Sequence, residues 1–150
     1  MGEMVEFKSN GGTCSGYLAG KSGPGVIVIQ EWWGLVPHIK DIADRFAAEG
    51  FTALAPDMYH GEVTSEPDTA GKLLMSMNLE TAGKDLSGAV DLLQERTGNK
   101  KVGVTGFCMG GGLSLMLACL RPDAVAAAAP FYGGMRPDTP IYWDNLAAVV

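Results

Sequence analysis

The sequence predicts an α/β fold in which helices cover both faces of a doubly wound, mostly parallel sheet. Short apolar runs rich in β-branched residues alternate along the chain with longer segments whose apolar residues recur at helical spacing. Strands and helices that alternate in this way build parallel sheets through right-handed crossovers. With 150 residues and a hydrophobic content of 47%, the chain suits one globular domain or part of one.

The first elements are a predicted hairpin, a buried strand and a helix. Residues 3–19 alternate around Asn10-Gly11-Gly12, and Asn-Gly favours a tight turn because both residues tolerate positive φ. The run 26–29 is β-branched and apolar on both faces, as a central strand of a covered sheet must be. Apolar residues at helical spacing then predict a helix over 39–47, which Gly50 can terminate.

The same alternation continues to residue 131, and no repeat or linker suggests a second domain. The polar segment 61–69 is predicted to be a surface loop. The remaining predicted elements are a strand at 51–55, a helix at 70–77 that can begin earlier, a helix at 81–96, a strand at 101–105, a helix at 111–120 and a strand at 124–131.

The net charge of the chain indicates which classes of molecule the protein can bind. A formal net charge of -6 and a pI near 4.8 argue against binding to nucleic acid or to anionic membrane surfaces, since both require clustered Lys and Arg. No segment approaches the ~18 apolar residues that span a bilayer, and no leader-like start is visible. A small-molecule partner and a cytoplasmic location are therefore predicted.

The three cysteines predict neither a disulfide framework nor a zinc site. Cys14, Cys108 and Cys119 are odd in number and form no Cys-x-x-Cys pair. Cys14 in the hairpin and Cys119 in a helix are interpreted as small hydrophobic residues. No cofactor motif or metal-ligand cluster is visible, so no cofactor is predicted.

Cys108 stands in a different context, within Gly106-Phe107-Cys108-Met109-Gly110 between a predicted strand and a predicted helix. In a Gly-x-nucleophile-x-Gly elbow, the glycines remove side chains that would clash where the chain reverses, and the central side chain is exposed on a strained backbone. The helix that follows favours a thiolate and an oxyanion at its amino end. Glycine-rich turns also bind phosphates, but the Gly-x-Gly-x-x-Gly spacing of dinucleotide sites is absent.

Together these motifs resemble those of the dienelactone hydrolase family, within the α/β-hydrolase fold. A cysteine in the elbow combined with Gln-Glu after an earlier strand is more specific than either feature alone, because most α/β-hydrolases carry serine there. The resemblance spans nearly the whole chain and rests on Gln30-Glu31-Trp32-Trp33-Gly34, His38-Ile39, the stretch from Ala53 to Tyr59, Gly106 to Gly111 and Phe131-Tyr132-Gly133-Gly134.

The resemblance implies hydrolysis of small lactones or esters through a thioester on Cys108. It implies that Glu31 contacts the resting thiol and takes part in forming the thiolate, and a carboxylate at a mostly buried strand end could accept that proton. It also implies an oxyanion hole made by the backbone amides of Met109 and Trp32. Trp33, with its neighbour Trp32, would line the substrate pocket.

The resemblance also implies a triad of Cys, Asp and His, and its acid and its histidine are missing from this sequence. No histidine follows Cys108, whereas the triad order in this fold is nucleophile, acid, histidine. His38 and His60 lie upstream and have structural explanations. Asp123, Asp138 and Asp144 precede the strand that should carry the acid, and 146–150 is interpreted as the beginning of that strand. We therefore expect the amino-terminal portion of a single hydrolase domain that lacks its last strands and helix, and is inactive as given.

Two other functions stay open at this stage. The chain can be a non-catalytic, hydrolase-like protein that binds a ligand or a partner, or a serine-hydrolase-like peptidase or lipase, since the fold supports many chemistries. Cysteine in the elbow and the lack of a lid insertion argue against the latter. No Arg lies between Arg45 and Arg96 to hold a substrate carboxylate, which disfavours dienelactone itself. The sequence does not predict an oligomeric state.

Overall fold

The structure is a computed structural model that describes all residues from Met1 to Val150, with one six-stranded sheet and four α-helices. In chain order the elements are β1 (Glu3–Ser9), β2 (Gly12–Ala19), β3 (Gly25–Ile29), α1 (Pro37–Ala48), β4 (Thr52–Pro56), α2 (Pro67–Ser76), α3 (Leu79–Thr97), β5 (Val102–Phe107), α4 (Met109–Leu120), β6 (Val125–Phe131) and a 3-10 turn (Trp143–Asn145).

The sheet order is β1-β2-β4-β3-β5-β6. The first two strands form an antiparallel hairpin, β2 pairs antiparallel with β4, and the four strands from β4 to β6 are parallel. The predicted mostly parallel α/β sheet is thus confirmed, with β3 at its centre. None of the four helices combines the length and the apolar character that crossing a membrane requires.

Two apolar cores lie on opposite faces of the sheet, because successive side chains of the buried strands point to opposite sides. On one face, α1 packs its Ile39, Ile42 and Ala43 against alternate residues of the central strands. On the other face, α3 and α4 contribute to a larger core of 23 buried residues. Helices therefore cover both faces, as expected for a doubly wound fold.

The hairpin forms as predicted, with Asn10 at φ 52° and Gly11 at φ 76° in its turn. These two left-handed residues match the twist of the flanking strands. The register pairs Ser9 with Gly12 and Phe7 with Cys14. Ser9 and Cys14 are both buried, which places polar and thiol groups of the hairpin inside the protein.

Several boundaries differ from the prediction. The helix predicted over 70–77 begins at Pro67 and so takes residues 67–69 from the predicted loop, because Pro suits the first helical turn and Asp68 favours the positive helix end. The next helix begins at Leu79, since the Asn78 side chain accepts a hydrogen bond from the Thr81 amide at 3.0 Å. β5 extends to Phe107, which leaves one residue between strand and helix.

The last residues run beside β6. The Ala128 amide donates to the Val149 carbonyl at 2.8 Å, and the Val149 amide donates to the Ala126 carbonyl at 3.0 Å. This pairing is parallel. It agrees with the prediction that 146–150 begins a further parallel strand.

Candidate active site

Cys108 is the single residue between β5 and α4, and its backbone is strained. Its φ of 56° and ψ of -119° fall outside the regions that residues with a side chain normally adopt. The thiol is half-buried and forms no disulfide. The structure therefore presents Cys108 at a sharp strand-to-helix turn, as the elbow motif predicts.

The glycines of the motif are required by close backbone contacts. A Cβ on Gly106 would lie 2.0 Å from the Gly110 carbonyl oxygen, and a Cβ on Gly110 would lie 2.4 Å from the Ile29 oxygen. Neither contact can be relieved by moving a flexible side chain, since both involve backbone atoms. The turn at Cys108 is thus possible only without these side chains.

The end of β6 and the loop that follows it hold the elbow through backbone hydrogen bonds. The Cys108 amide donates to the Phe131 carbonyl at 3.1 Å, and the Gly134 amide donates to the Cys108 carbonyl at 3.1 Å. The same carbonyl accepts a 2.9 Å bond from the Gly111 amide. Tyr132, in the middle of this loop, also has a positive φ of 36°. The loop and the elbow therefore fix each other's conformation.

The two amides predicted to form an oxyanion hole lie at adjacent strand ends. Met109 is the first residue of α4, so its amide has no acceptor within the helix. The Trp32 amide, just beyond β3, donates to no group of the protein. Gly110 packs against the backbone oxygens of Ile29 and Gln30, which brings the end of β3 to the start of α4. Both amides are available to an external acceptor.

Glu31 contacts Tyr132 rather than the thiol. The Tyr132 hydroxyl donates to Glu31 Oε2 at 2.9 Å, and no hydrogen bond joins Glu31 to Cys108. Glu31 is half-buried, less than the mostly buried position that we expected. Desolvation, the hydrogen bond to Glu31 and the charges of Glu31 and Cys108 raise the pKa of Tyr132. The sequence motif contained Tyr132, but nothing in it indicated this contact.

Buried polar groups that follow β3 and β4 form hydrogen bonds next to the elbow. Gln30 is fully buried, and its Oε1 accepts a 3.1 Å hydrogen bond from the Met58 amide, whereas its Nε2 has no partner. The Tyr59 hydroxyl donates to Met109 Sδ at 3.3 Å. Burial and the charge of Cys108 raise the pKa of Tyr59 to about 12. The segment after β4 therefore lies directly under the site.

The two tryptophans predicted near the pocket pack edge to face. Their ring centroids are 5.3 Å apart, with an interplanar angle of 64°, and both residues are half-buried. Trp32 also packs against the larger core. Its side chain therefore has a structural role, whereas a contact of Trp33 with substrate stays a prediction.

No histidine lies within hydrogen-bonding distance of Cys108 in residues 1–150. His38 is exposed at the start of α1, and His60 Nε2 lies 2.8 Å from Asp85 Oδ2. Downstream, Asp123 and Asp138 form ion pairs with nearby arginines. Within residues 1–150 the thiol of Cys108 therefore has no histidine partner, and its part in catalysis stays a prediction.

Comparison with known proteins gives one consistent family. The model of the dienelactone hydrolase family matches residues 14–149. The chain is 50% identical over 143 residues to "Protein usf" of Aquifex pyrophilus and 44% identical over 143 residues to a putative carboxymethylenebutenolidase of Aquifex aeolicus. Each alignment covers 89% of this chain and 62% of the relative, so the chain spans about three fifths of the length of these relatives.

Two solved structures are similar throughout the chain. One is a putative dienelactone hydrolase from Klebsiella pneumoniae, with a TM-score of 0.81 and 26% identity, covering 99% of this chain and 70% of that one. The other is a dienelactone hydrolase-like promiscuous phosphotriesterase from metagenomic libraries, with a TM-score of 0.79 and 27% identity, covering 97% and 63%.

Proposed function

Because this chain belongs to the dienelactone hydrolase family, we propose that the protein hydrolyses small lactones or esters through a thioester on Cys108. The strained turn that presents Cys108 between β5 and α4 is the main support for this proposal. Such strain persists only where the surrounding structure enforces it, and it is typical of functional positions.

The proposed reaction has two steps. The Cys108 thiolate attacks the carbonyl carbon of the ester, the ester C–O bond breaks, and the alcohol leaves with the proton that the thiol had given to Glu31, which gives a thioester. Water then attacks the thioester, the C–S bond breaks, and the acid and the thiol are released. In a lactone, alcohol and acid remain on one molecule.

The oxyanion of each tetrahedral intermediate would be bound by the amides of Met109 and Trp32. Both amides lack an acceptor within the protein, and they lie at strand ends that the packing of Gly110 brings together. The amino end of α4 adds a favourable dipole. Donors fixed in advance stabilise developing charge without reorganisation during the reaction.

Glu31 is proposed to receive the Cys108 proton when substrate binds. In the structure its carboxylate is held by the Tyr132 hydroxyl, so this transfer requires Glu31 to move from Tyr132 towards the thiol. Tyr132 would act as a positioning residue that sets how often Glu31 is available.

The histidine and the acid of the triad are proposed to come from a part of the protein outside these 150 residues. The relatives are longer than the matched segment, and neither histidine of the chain contacts Cys108. These residues alone would therefore form a thioester at most and would not turn over.

The arginines differ in whether they are free to hold a substrate carboxylate. Arg136 lies close to the elbow but donates to Asp138 and to the carbonyls of Leu74 and Met77, and Arg121 pairs with Asp91 and Asp123. Neither guanidinium is free to hold a substrate carboxylate. Neither Arg121 nor Arg136 is therefore proposed to bind a substrate carboxylate, whereas Arg45 forms no ion pair and lines a cavity together with Phe131 and Tyr132. We also propose a cytoplasmic location, where free thiols persist.

The test is to react the chain with p-nitrophenyl acetate and to locate acetyl groups by peptide mass spectrometry. We expect nitrophenol release of one equivalent and an adduct on Cys108, both lost in Cys108→Ala and kept in the matched control Cys119→Ala. Acetylation that persists in Cys108→Ala would refute the proposal. A Cys108 that stays unreacted while the protein binds an uncleaved ester would favour the non-catalytic, ligand-binding alternative.

A further inference from the structure

A second group of reactive side chains lies on the hairpin side of the molecule. Cys14 in β2, His60 after β4 and Asp85 in α3 come from three separate segments. Their ligand atoms, one sulfur, one ring nitrogen and one carboxylate oxygen, all lie within 4.8 Å of one another. None of these residues has a role in the proposed hydrolysis, and the sequence pattern predicts only a small hydrophobic role for Cys14.

We propose that Cys14, His60 and Asp85 form a binding site for a divalent transition-metal ion of the zinc type. A thiolate, an imidazole and a carboxylate are the ligands that Zn²⁺ combines in proteins. Thiolate excludes hard ions such as Mg²⁺ and Ca²⁺, which take oxygen ligands. Three protein ligands would leave one tetrahedral position for a further ligand.

The buried carboxylate of Asp85 supports a cation at this place. Asp85 and Cys14 are each 2% exposed, and an uncompensated carboxylate is costly inside a protein. No Lys or Arg pairs with Asp85, and its only ionisable partner is His60, which is charged only when protonated. A bound divalent ion would balance the negative charges of the Asp85 carboxylate and the Cys14 thiolate.

The surrounding hydrogen bonds fix the proposed ligands. Ser9 Oγ donates to Asp85 Oδ1, which leaves Oδ2 facing His60. Metal-binding carboxylates usually have such outer partners, which hold their orientation. The Cys14 thiol donates only weakly to the carbonyls of Ser15 at 3.5 Å and Asp57 at 3.7 Å. Little hydrogen bonding is therefore lost when the thiol gives up its proton.

The loop that carries His60 is also held in place. The Asp57 carboxylate accepts hydrogen bonds from the amides of Tyr59 at 3.2 Å and Gly61 at 2.7 Å. His60 itself has a φ of 52°, a left-handed conformation that is uncommon for a residue with a side chain. The loop thus imposes a conformation that brings the imidazole back over Asp85.

An entry path exists beside the cluster. A cavity of about 210 Å³ is lined by His60, Asp85 and Glu62, among others, at the rim of α3. It can admit an ion and a water molecule as fourth ligand. On binding, the Cys14 S–H bond breaks and its proton leaves to solvent. His60 then coordinates through Nε2, with its ring proton on Nδ1.

The test uses Co²⁺ as the probe, because a Co²⁺–thiolate bond gives a charge-transfer absorption that oxygen and nitrogen ligands do not. We expect one equivalent of Co²⁺ to produce this band in the wild-type chain and Zn²⁺ to displace it. Cys14→Ser should abolish the band, and His60→Ala should weaken binding at least about tenfold. The matched controls Cys119→Ser and His38→Ala should bind as the wild type does.

Two further measurements distinguish loss of metal binding from loss of folding. Asp85→Asn preserves size and a hydrogen-bond acceptor for Ser9, so it separates loss of metal binding from loss of folding, which circular dichroism monitors in every variant. Excess Zn²⁺ should raise the Tm of the wild type but not of Cys14→Ser. The proposal is overturned if no band appears, if the band survives Cys14→Ser, or if Cys108→Ser removes it instead. Ester reactivity at Cys108 is measured separately, so the two proposals can fail independently.

Discussion

Cys108 and Cys14 are both free thiols of one small chain, but their surroundings are opposite. Cys108 is half-buried on a strained turn, next to amides that have no acceptor in the protein. Cys14 is buried in a relaxed strand, where its thiol and the neighbouring Asp85 and Ser9 are all hydrogen-bonded. The first region leaves two backbone amides without an acceptor on a strained turn, whereas the second gives each buried polar group at least one hydrogen bond.

Surroundings of these two kinds distinguish a reactive thiol from an inert one. Burial and the charges of Asp85 and Asp57 raise the pKa of Cys14 from 9.0 to about 12, so this thiol stays protonated and unreactive without a metal. At Cys108 the backbone geometry, rather than the residue type, provides access to a ligand. Changing one region at a time should therefore separate reactivity from stability.

The largest effect is expected at Gly110 in the strained region. Gly110→Ala would place a Cβ 2.4 Å from the Ile29 carbonyl oxygen, so the elbow cannot close against β3. We expect the free energy of unfolding to fall by about 3 kcal/mol or more, measured by urea denaturation. Gly134→Ala is the control, because its Cβ would meet nothing within 4 Å. Equal effects in both variants would contradict the steric requirement.

In the region around Cys14, we expect Asp85→Ala to lower the free energy of unfolding somewhat less than Gly110→Ala does. The substitution removes the acceptor of the buried Ser9 hydroxyl and the partner of His60. Leaving a buried donor unsatisfied is expected to lower the free energy of unfolding by about 2 kcal/mol. Glu95→Ala, exposed on the same helix, should change it by less than about 0.5 kcal/mol. A neutral Asp85→Ala would mean that the cluster contributes nothing to folding.

Alkaline pH should lower the free energy of unfolding because Cys14 loses its proton. The folded-state pKa of about 12 lies above the unfolded value of 9.0, so the folded protein holds this proton more tightly. The resulting stability is complete below about pH 9 and is lost as pH rises towards about 12, by at most about 1.4 kcal/mol per pH unit. Unfolding with chelator present, between about pH 8 and about pH 10, should show a steeper decline in wild type than in Cys14→Ser.

The smallest expected effect has the opposite sign. Glycine adopts positive φ readily, so Cys108→Gly relieves strain worth about 1 to 3 kcal/mol but adds about 0.5 to 1 kcal/mol of chain entropy. We expect a net gain of about 1 kcal/mol in the free energy of unfolding, together with complete loss of thioester formation. Cys119→Gly, inside α4, should be destabilising instead. A destabilised Cys108→Gly would show that the turn carries little strain.

Local patterns predicted the fold because each element carries its own signal. Asn10 and Gly11 marked the hairpin turn, and the apolar run of β3 marked the sheet centre. The helix predicted over 70–77 was allowed to begin earlier, and it begins at Pro67. The predicted loop over 61–69 therefore extended too far, because Gly61 and its polar neighbours gave a stronger signal than the proline. The end of β5 was also predicted too early, because glycines weaken the strand pattern.

The candidate site was predictable only in part. Cys108, Met109 and the two glycines beside them belong to one contiguous motif, so the sequence alone indicates their geometry. The contact of Glu31 with Tyr132 and the cluster of Cys14, His60 and Asp85 join residues far apart in the chain. No spacing rule relates such residues, and their proximity depends on the order of the strands in the sheet.

The loop after β6 has a consequence for how the elbow comes into being. The Cys108 amide and carbonyl are held by Phe131 and Gly134, which a ribosome adds only after the whole of α4 and most of β6. During synthesis the cysteine is therefore incorporated before the groups that constrain it exist. We expect its reactive shape to be acquired late, when β6 docks beside β5, so that a nascent chain carries an ordinary cysteine until then.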